Sequence, residues 1–349
     1  MTIESQADSG AKPAGTGIGA EPGDGASETG PRGGESLLRE SRDNPCPEAA
    51  VAGHVKTPDG VNLRYARWRT THPPFRGTAV LLQGRGEYIE KFYETVADLR
   101  TSGYDVLTFD WRGQGRSDRL LTDPRRGYVD SFDQYVADFD TILTEVALPD
   151  CRLPLYVLAH STGSLVALLA APGLANRVER ILLASPLFRF GSTPLPQTWL
   201  KAITGVFSAI GLGAAYLQPR RVPDSVTAFP DNLLTSDMRR FTRNAEFGAA
   251  FPELTIDAPT AAWLYAACQA MDRIDDSDFL GVITVPVLLV CAGNDKIVAN
   301  RPAEEIGRRL RSGRTLSIAG ARHEVLQERD LFREQLLAAF RAFTGGESG

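Results

Sequence analysis

Five short apolar runs constrain the fold of this chain more than any other feature: TAVLLQG (78–84), YDVLTFD (104–110), LYVLAH (155–160), ILLAS (181–185) and VPVLLVCAG (285–293). Near-continuous apolar runs of this length read as strands buried on both faces. Helical periodicity fills much of the space between them. Phe92, Val96 and Leu99 recur at helical spacing before Gly103 stops the segment, and Phe132, Val136, Phe139 and Leu143 mark a second amphipathic helix. A last helix carries Phe332, Leu336, Phe340 and Phe343. Strands alternating with helices predict a mostly parallel sheet covered by helices on both faces. Ahead of it, AAVAGHVKT and VNLRYARW flank Pro58-Asp59-Gly60, which predicts a β-hairpin.

The alternation breaks once. From Pro186 to about Leu280 no clean strand appears, and Trp, Phe, Pro and Leu abound. A structureless loop of that length is anomalous, so the segment predicts a helical cap inserted after the sixth strand. The expected organisation is a disordered tail over 1–48, a core over 49–185 and 281–345, and a cap over 186–280. The tail follows from composition: between Met1 and Ser36 the large apolar residues are Met1, Ile3 and Ile18, too few to offset the entropy of ordering.

A net charge of -5 over 349 residues argues against nucleic acid as a partner. Cys46, Cys151, Cys268 and Cys291 have no metal-like spacing and read as reduced thiols. The N-terminus lacks the basic and apolar regions of a secretory signal, and no apolar run reaches the roughly 18 residues of a spanning helix. The expected location is therefore cytoplasmic, with peripheral contact at the inner membrane face left open.

The chemistry centres on Ala159-His160-Ser161-Thr162-Gly163, which follows an apolar strand and opens the Ala/Leu-rich helix SLVALLAA. A serine on such a strand-to-helix turn projects its Oγ above the sheet, and small flanking residues let the two backbones approach. Its base must be one of four histidines. His54 falls in the hairpin, His72 in a polar loop, and His160 leaves the turn in another direction; all three read as surface or packing residues. His323, in GARHEVLQE, lies between a strand-like run and the last helix, where a loop residue can reach the serine. Asp295 follows VPVLLVCAGN at a strand end and is the expected acid that orients the imidazole. Asp272, Asp275, Asp276 and Asp278 are its rivals at the exit of the cap. The order Ser161, Asp295, His323 is that of the α/β-hydrolases. The oxyanion donors are expected to be the backbone N–H groups of Thr162 and of Arg85, the latter in Gln83-Gly84-Arg85-Gly86-Glu87. Asp110 to Ser117 is expected to brace the neighbouring loops. Trp199 to Leu217 carries one charge, Lys201, and reads as a core-facing cap helix, with a lipid-docking face as the alternative.

From about Ala49 to Phe343 the chain resembles the monoacylglycerol lipase and bacterial lysophospholipase branch of the α/β-hydrolases. The resemblance rests on QGRGE, FDWRGQGRSDR, AHSTG, GNDKIV and GARHEVLQE. It implies an eight-stranded α/β-hydrolase fold, a mobile cap, no cofactor, and hydrolysis of monoacyl lipids or other carboxylic esters. Small-ester carboxylesterase activity and a non-catalytic binding role on the same scaffold are the alternatives. Gln83, Ala159 and Ser164 depart from the branch, replacing a histidine and two glycines. Part of the early cap is expected to line an acyl channel, and Arg85, Arg220 and Arg221 to meet a lysophospholipid phosphate.

Overall fold

The computed structural model describes residues 36–191, 195–217 and 226–345. Strands β1 (Ala50–Lys56) and β2 (Asn62–Trp68) form the hairpin expected around Asp59-Gly60. The buried runs follow as β3 (Gly77–Leu82), β4 (Tyr104–Phe109), β5 (Leu155–His160), β6 (Arg180–Ala184) and β7 (Val287–Ala292), with β8 (Gly313–Ile318) last. All eight join one sheet in the order β1-β2-β4-β3-β5-β6-β7-β8. Strand β2 runs antiparallel to both β1 and β4, and every pairing from β4 to β8 is parallel.

Helices α1 (Tyr93–Thr101), α2 (Phe132–Ile142), the short α3 (Leu148–Asp150) and α4 (Thr162–Ala170) connect β3 through β6. Each face of the sheet has its own core. One collects Val80, Leu107, Val157, Leu183 and Leu289 beneath α2 and α4; the other collects Ala79, Leu81, Val106, Leu158 and Val290 beneath α1 and the final helix. Alternate residues of one strand thus serve opposite cores, as the pleat requires.

The insertion after β6 is helical, with α5 (Gln197–Ala209), α6 (Met238–Ala250), α7 (Ala261–Ile274) and α8 (Ser277–Gly281). Its parts differ in burial. Helix α7 sinks Trp263, Ala267, Met271 and Ile274 into the core beneath α2 and α4, and Trp263 packs on Phe132 with ring centroids 5.6 Å apart. Helix α5 corrects the expectation of a core-facing helix: Trp199 and Ile210 are each 64% exposed, and Ile203 and Val206 lie on the same open face. Beyond β7, α9 (Asn300–Arg309) and α10 (Asp330–Thr344) close the fold. Among the described residues no helix is long and apolar enough to cross a membrane.

The expected tail boundary at residue 48 also needs correction. Leu38 packs on the second core, and buried Asn44 donates to the carbonyl of Glu90 at 2.8 Å. The Arg39 N–H donates to the Glu90 carboxylate. Polar and charged contacts, rather than apolar periodicity, order this stretch. Residues 1–35 lie outside the described residues.

Candidate active site

Strand β5 ends at His160 and α4 begins at Thr162, so Ser161 alone makes the turn. Its φ of 51° lies in the left-handed region that a non-glycine residue enters at a cost. The Ser161 N–H donates to the Ala184 carbonyl at 3.0 Å, and its own carbonyl accepts from Ser164, Leu165 and Leu187. These bonds hold the strained backbone in place. Gly163 has no alternative: a Cβ there would lie 2.6 Å from the Gln83 carbonyl oxygen. At Ala159 the methyl is accommodated and fully buried, and Ser164 returns its hydroxyl to the Ala159 carbonyl at 2.9 Å.

The loops after β7 and β8 bring the other expected residues to Ser161. His323 Nε2 lies 3.0 Å from Ser161 Oγ, and His323 Nδ1 lies 2.8 Å from Asp295 Oδ2. The second carboxylate oxygen of Asp295 accepts the N–H groups of Ile297 and Val298 at 2.8 and 3.0 Å. Burial alone would raise this carboxyl; the His323 contact and the two backbone donors outweigh it and hold it below the ordinary carboxylate value. Three of the rival carboxylates are engaged elsewhere. Asp272 pairs with Lys201, Asp275 with Arg189, and Asp276 accepts from the N–H of Asp278.

The loop after β3 passes directly over the turn, since a Cβ on Gly84 would lie 3.2 Å from Ser161 Cβ. Glu87 accepts the Gly84 N–H and Gln114 accepts that of Gly86. Among the described residues the N–H of Arg85 between them has no hydrogen-bond partner, nor does that of Thr162. Two backbone donors beside Ser161 are thus left for an incoming oxygen. The 110–117 segment braces this loop as expected: Gln114 holds Gly86, Trp111 Nε1 donates to the Gln83 carbonyl at 2.8 Å, and Asp110 accepts the Ile89 N–H at 3.0 Å. Gln83 donates its amide to Thr108 Oγ1 at 3.2 Å. The Arg85 side chain is held by the insertion, donating to the Asp257 carbonyl at 2.6 Å and facing the Trp263 ring. It is therefore committed away from the phosphate role expected of it, and Arg220 and Arg221 lie outside the described residues.

Two groups escaped the sequence reading. His160 is buried and bonded on both ring nitrogens, and Lys91 bridges Glu87 at 3.0 Å and Glu324 at 2.6 Å. A cavity of about 160 Å³ opens beside Lys91 and Glu324, walled by Tyr88, Phe241 and Ile256.

Residues 73–330, from ahead of β3 to the start of α10, match the family model described as serine aminopeptidase, S33. The chain belongs to this family. The three side chains meet beyond the carboxyl ends of the parallel strands β5, β7 and β8, where open α/β sheets place their ligand sites. Lysophospholipase L2 of Escherichia coli strain K12 is 31% identical over 298 residues, covering 82% of this chain and 84% of that protein. Phospholipase YtpA of Bacillus subtilis is 27% identical, covering 79% of this chain and 97% of its own. A soluble variant of monoglyceride lipase from Saccharomyces cerevisiae, solved with a substrate analog, superposes with a TM-score of 0.66 at 18% identity, covering 86% of this chain and 95% of that one. That last likeness speaks to the fold alone.

Proposed function

We propose that the chain hydrolyses carboxylic esters of monoacyl lipids, lysophospholipids or monoacylglycerols, through an acyl-enzyme on Ser161. The observation that carries this reading is the unbroken line from Ser161 Oγ through His323 to Asp295. The S33 family match supports serine-based hydrolysis, and the lysophospholipase L2 relative supports the choice of substrate.

In this reading His323 Nε2 takes the proton of Ser161 Oγ as the hydroxyl attacks the ester carbonyl. Asp295 orients the imidazole and stabilises the imidazolium. The N–H groups of Arg85 and Thr162 receive the oxyanion. His323 then gives its proton to the leaving alkoxide, and the same residues activate water against the acyl-enzyme.

The residues from 186 to 280 act as the cap, and the open face of α5 is where it meets lipid. Trp199, Ile203, Val206 and Ile210 fall on one stripe at helical spacing, and the one charge of the helix, Lys201, is paired with Asp272. A face of this kind fits a peripheral contact with the membrane that holds the substrate.

The test is a comparison of kcat/KM for a lysophospholipid, a monoacylglycerol and a p-nitrophenyl ester series from short to long chains, each below its micelle concentration. Rising values with chain length and turnover of the natural lipids are expected. Activity confined to the shortest esters would replace the reading with a small-ester carboxylesterase.

A further inference from the structure

His160 adjoins the nucleophile yet takes no part in the proton relay above. Its side chain is only 3% exposed, and both nitrogens are engaged. Nδ1 lies 3.0 Å from Glu87 Oε2, and Nε2 lies 3.2 Å from the main-chain oxygen of His323. Both partners are acceptors. A carbonyl oxygen has no proton to give. Glu87 is held ionised, because its Oε1 meets the Lys91 ammonium at 3.0 Å while its Oε2 also accepts the Gly84 N–H. A neutral imidazole has one donor and one acceptor nitrogen, so it could satisfy only one of these two contacts. The other would set lone pair against lone pair.

We propose that His160 is held as an imidazolium and acts as a positioning residue, tying the oxyanion loop and the loop of the base to the turn that carries the nucleophile. This rests on reading Ser161 and His323 as nucleophile and base. Through Glu87 the ring reaches Gly84, next to Arg85 and its oxyanion N–H. Through Nε2 it holds the carbonyl of His323 itself. One buried ring therefore sets two loops against one serine.

The charges around it are consistent with that state. Glu87 and Lys91 face it from the loop after β3, and Glu324 from the loop after β8, where it also binds Lys91 at 2.6 Å. The ring of His323 stands near, with centroids 5.0 Å apart. Two carboxylates thus balance two cations. Burial alone would push the His160 imidazole down, but the ion pair and hydrogen bond with Glu87 outweigh it and the net direction is up. Against their burial, His160 and Lys91 hold Glu87 far below its ordinary value, and Glu324 and Glu87 hold Lys91 above its own.

The experiment is proton–nitrogen correlation NMR of the full chain labelled at its four histidines. His54→Gln and His72→Gln remove the two exposed rings, and phosphonylation of Ser161 moves the signals of His323, which leaves those of His160. Both His160 nitrogens are expected to be protonated, without a titration step, between about pH 5 and 8. Glu87→Gln should return His160 to the neutral form at the upper end of that range. It should also lower kcat about a hundredfold, the typical cost of a misplacement near 1 Å, with KM little changed. A single neutral tautomer in the wild-type chain at neutral pH would overturn the proposal, whether or not the Glu87 variant folds. So would a His160 signal that ignores Glu87→Gln. Fluorophosphonate labelling of the same samples reports separately on Ser161. Normal labelling beside a neutral His160 sinks this proposal and spares the serine reading, and a doubly protonated His160 without labelling does the reverse.

Discussion

Asp295 Oδ2 and His323 Nδ1 are 2.8 Å apart, on loops that leave the neighbouring strands β7 and β8. The contact selects the tautomer in which Nε2 faces Ser161 with a lone pair. Asp295→Asn keeps the shape but supplies an amide that can donate to Nδ1, favouring the wrong tautomer. A loss of about ten-thousandfold in kcat is expected, as for a buried acid of this kind. Asp275→Asn, at the exposed pair with Arg189, should stay near wild type. The reverse pattern in a p-nitrophenyl ester assay would move the acid to Asp275.

Gly163 tests the turn itself. A methyl there meets two backbone oxygens, those of Gln83 and Leu82, at 2.6 and 2.7 Å. Neither can move without displacing β3 and the oxyanion loop that follows it. Gly163→Ala should cost about 1–3 kcal/mol of stability, in the range of overpacked sites, and lower kcat in the fraction that folds. An unchanged Tm would mean that strand and helix approach less closely than described.

Glu94 on α1 clamps α6 of the insertion, accepting from Arg240 Nη2 at 2.6 Å and Arg243 Nη1 at 2.7 Å. Burial would raise this carboxyl, but the two arginine hydrogen bonds outweigh it and lower it from 4.5 to about 2. The folded value lies below the unfolded one, so the clamp stabilises the chain above pH 4.5 and is lost as pH falls toward about 2. Wild type should therefore melt above Glu94→Gln at neutral pH, with the gap in Tm closing across that window. A gap that stays constant with pH would exclude Glu94 as its source.

The α5 face predicts a separation of lipid binding from chemistry. Burying a large apolar side chain contributes about 1.5–3 kcal/mol, so Trp199→Asp and Ile210→Asp should each weaken partitioning onto phospholipid vesicles roughly tenfold or more. Turnover of a short soluble ester should stay near wild type, because neither residue touches Ser161, His323 or Asp295 in the bonds described. Vesicle sedimentation unaffected by both substitutions would leave α5 without this role.

The elements legible in the sequence were those written in local periodicity and strand-end position. The hairpin at Asp59-Gly60, the buried strands and the helical insertion all follow from patterns within a few residues. What stayed hidden depends on contacts between distant residues. Arg39 and Asn44 are ordered by Glu90 and Glu253 across long sequence separations, so a polar stretch read as tail. His160 read as a packing residue because nothing near it in the chain announces Glu87 or the His323 carbonyl. Helix α5 is amphipathic, but amphipathicity names an apolar face without saying what covers it. Gln83 could not be assigned a partner until β4 placed Thr108 beside it.

The most direct measurement is the site of fluorophosphonate attachment, read by peptide mapping of the full chain. A single adduct on the peptide holding Ser161 is expected, absent in Ser161→Ala, with hydrolysis of a lysophospholipid falling roughly a millionfold in that variant. An adduct on another residue, or a Ser161→Ala chain that still turns over ester at the wild-type rate, would contradict the assignment of Ser161 as nucleophile.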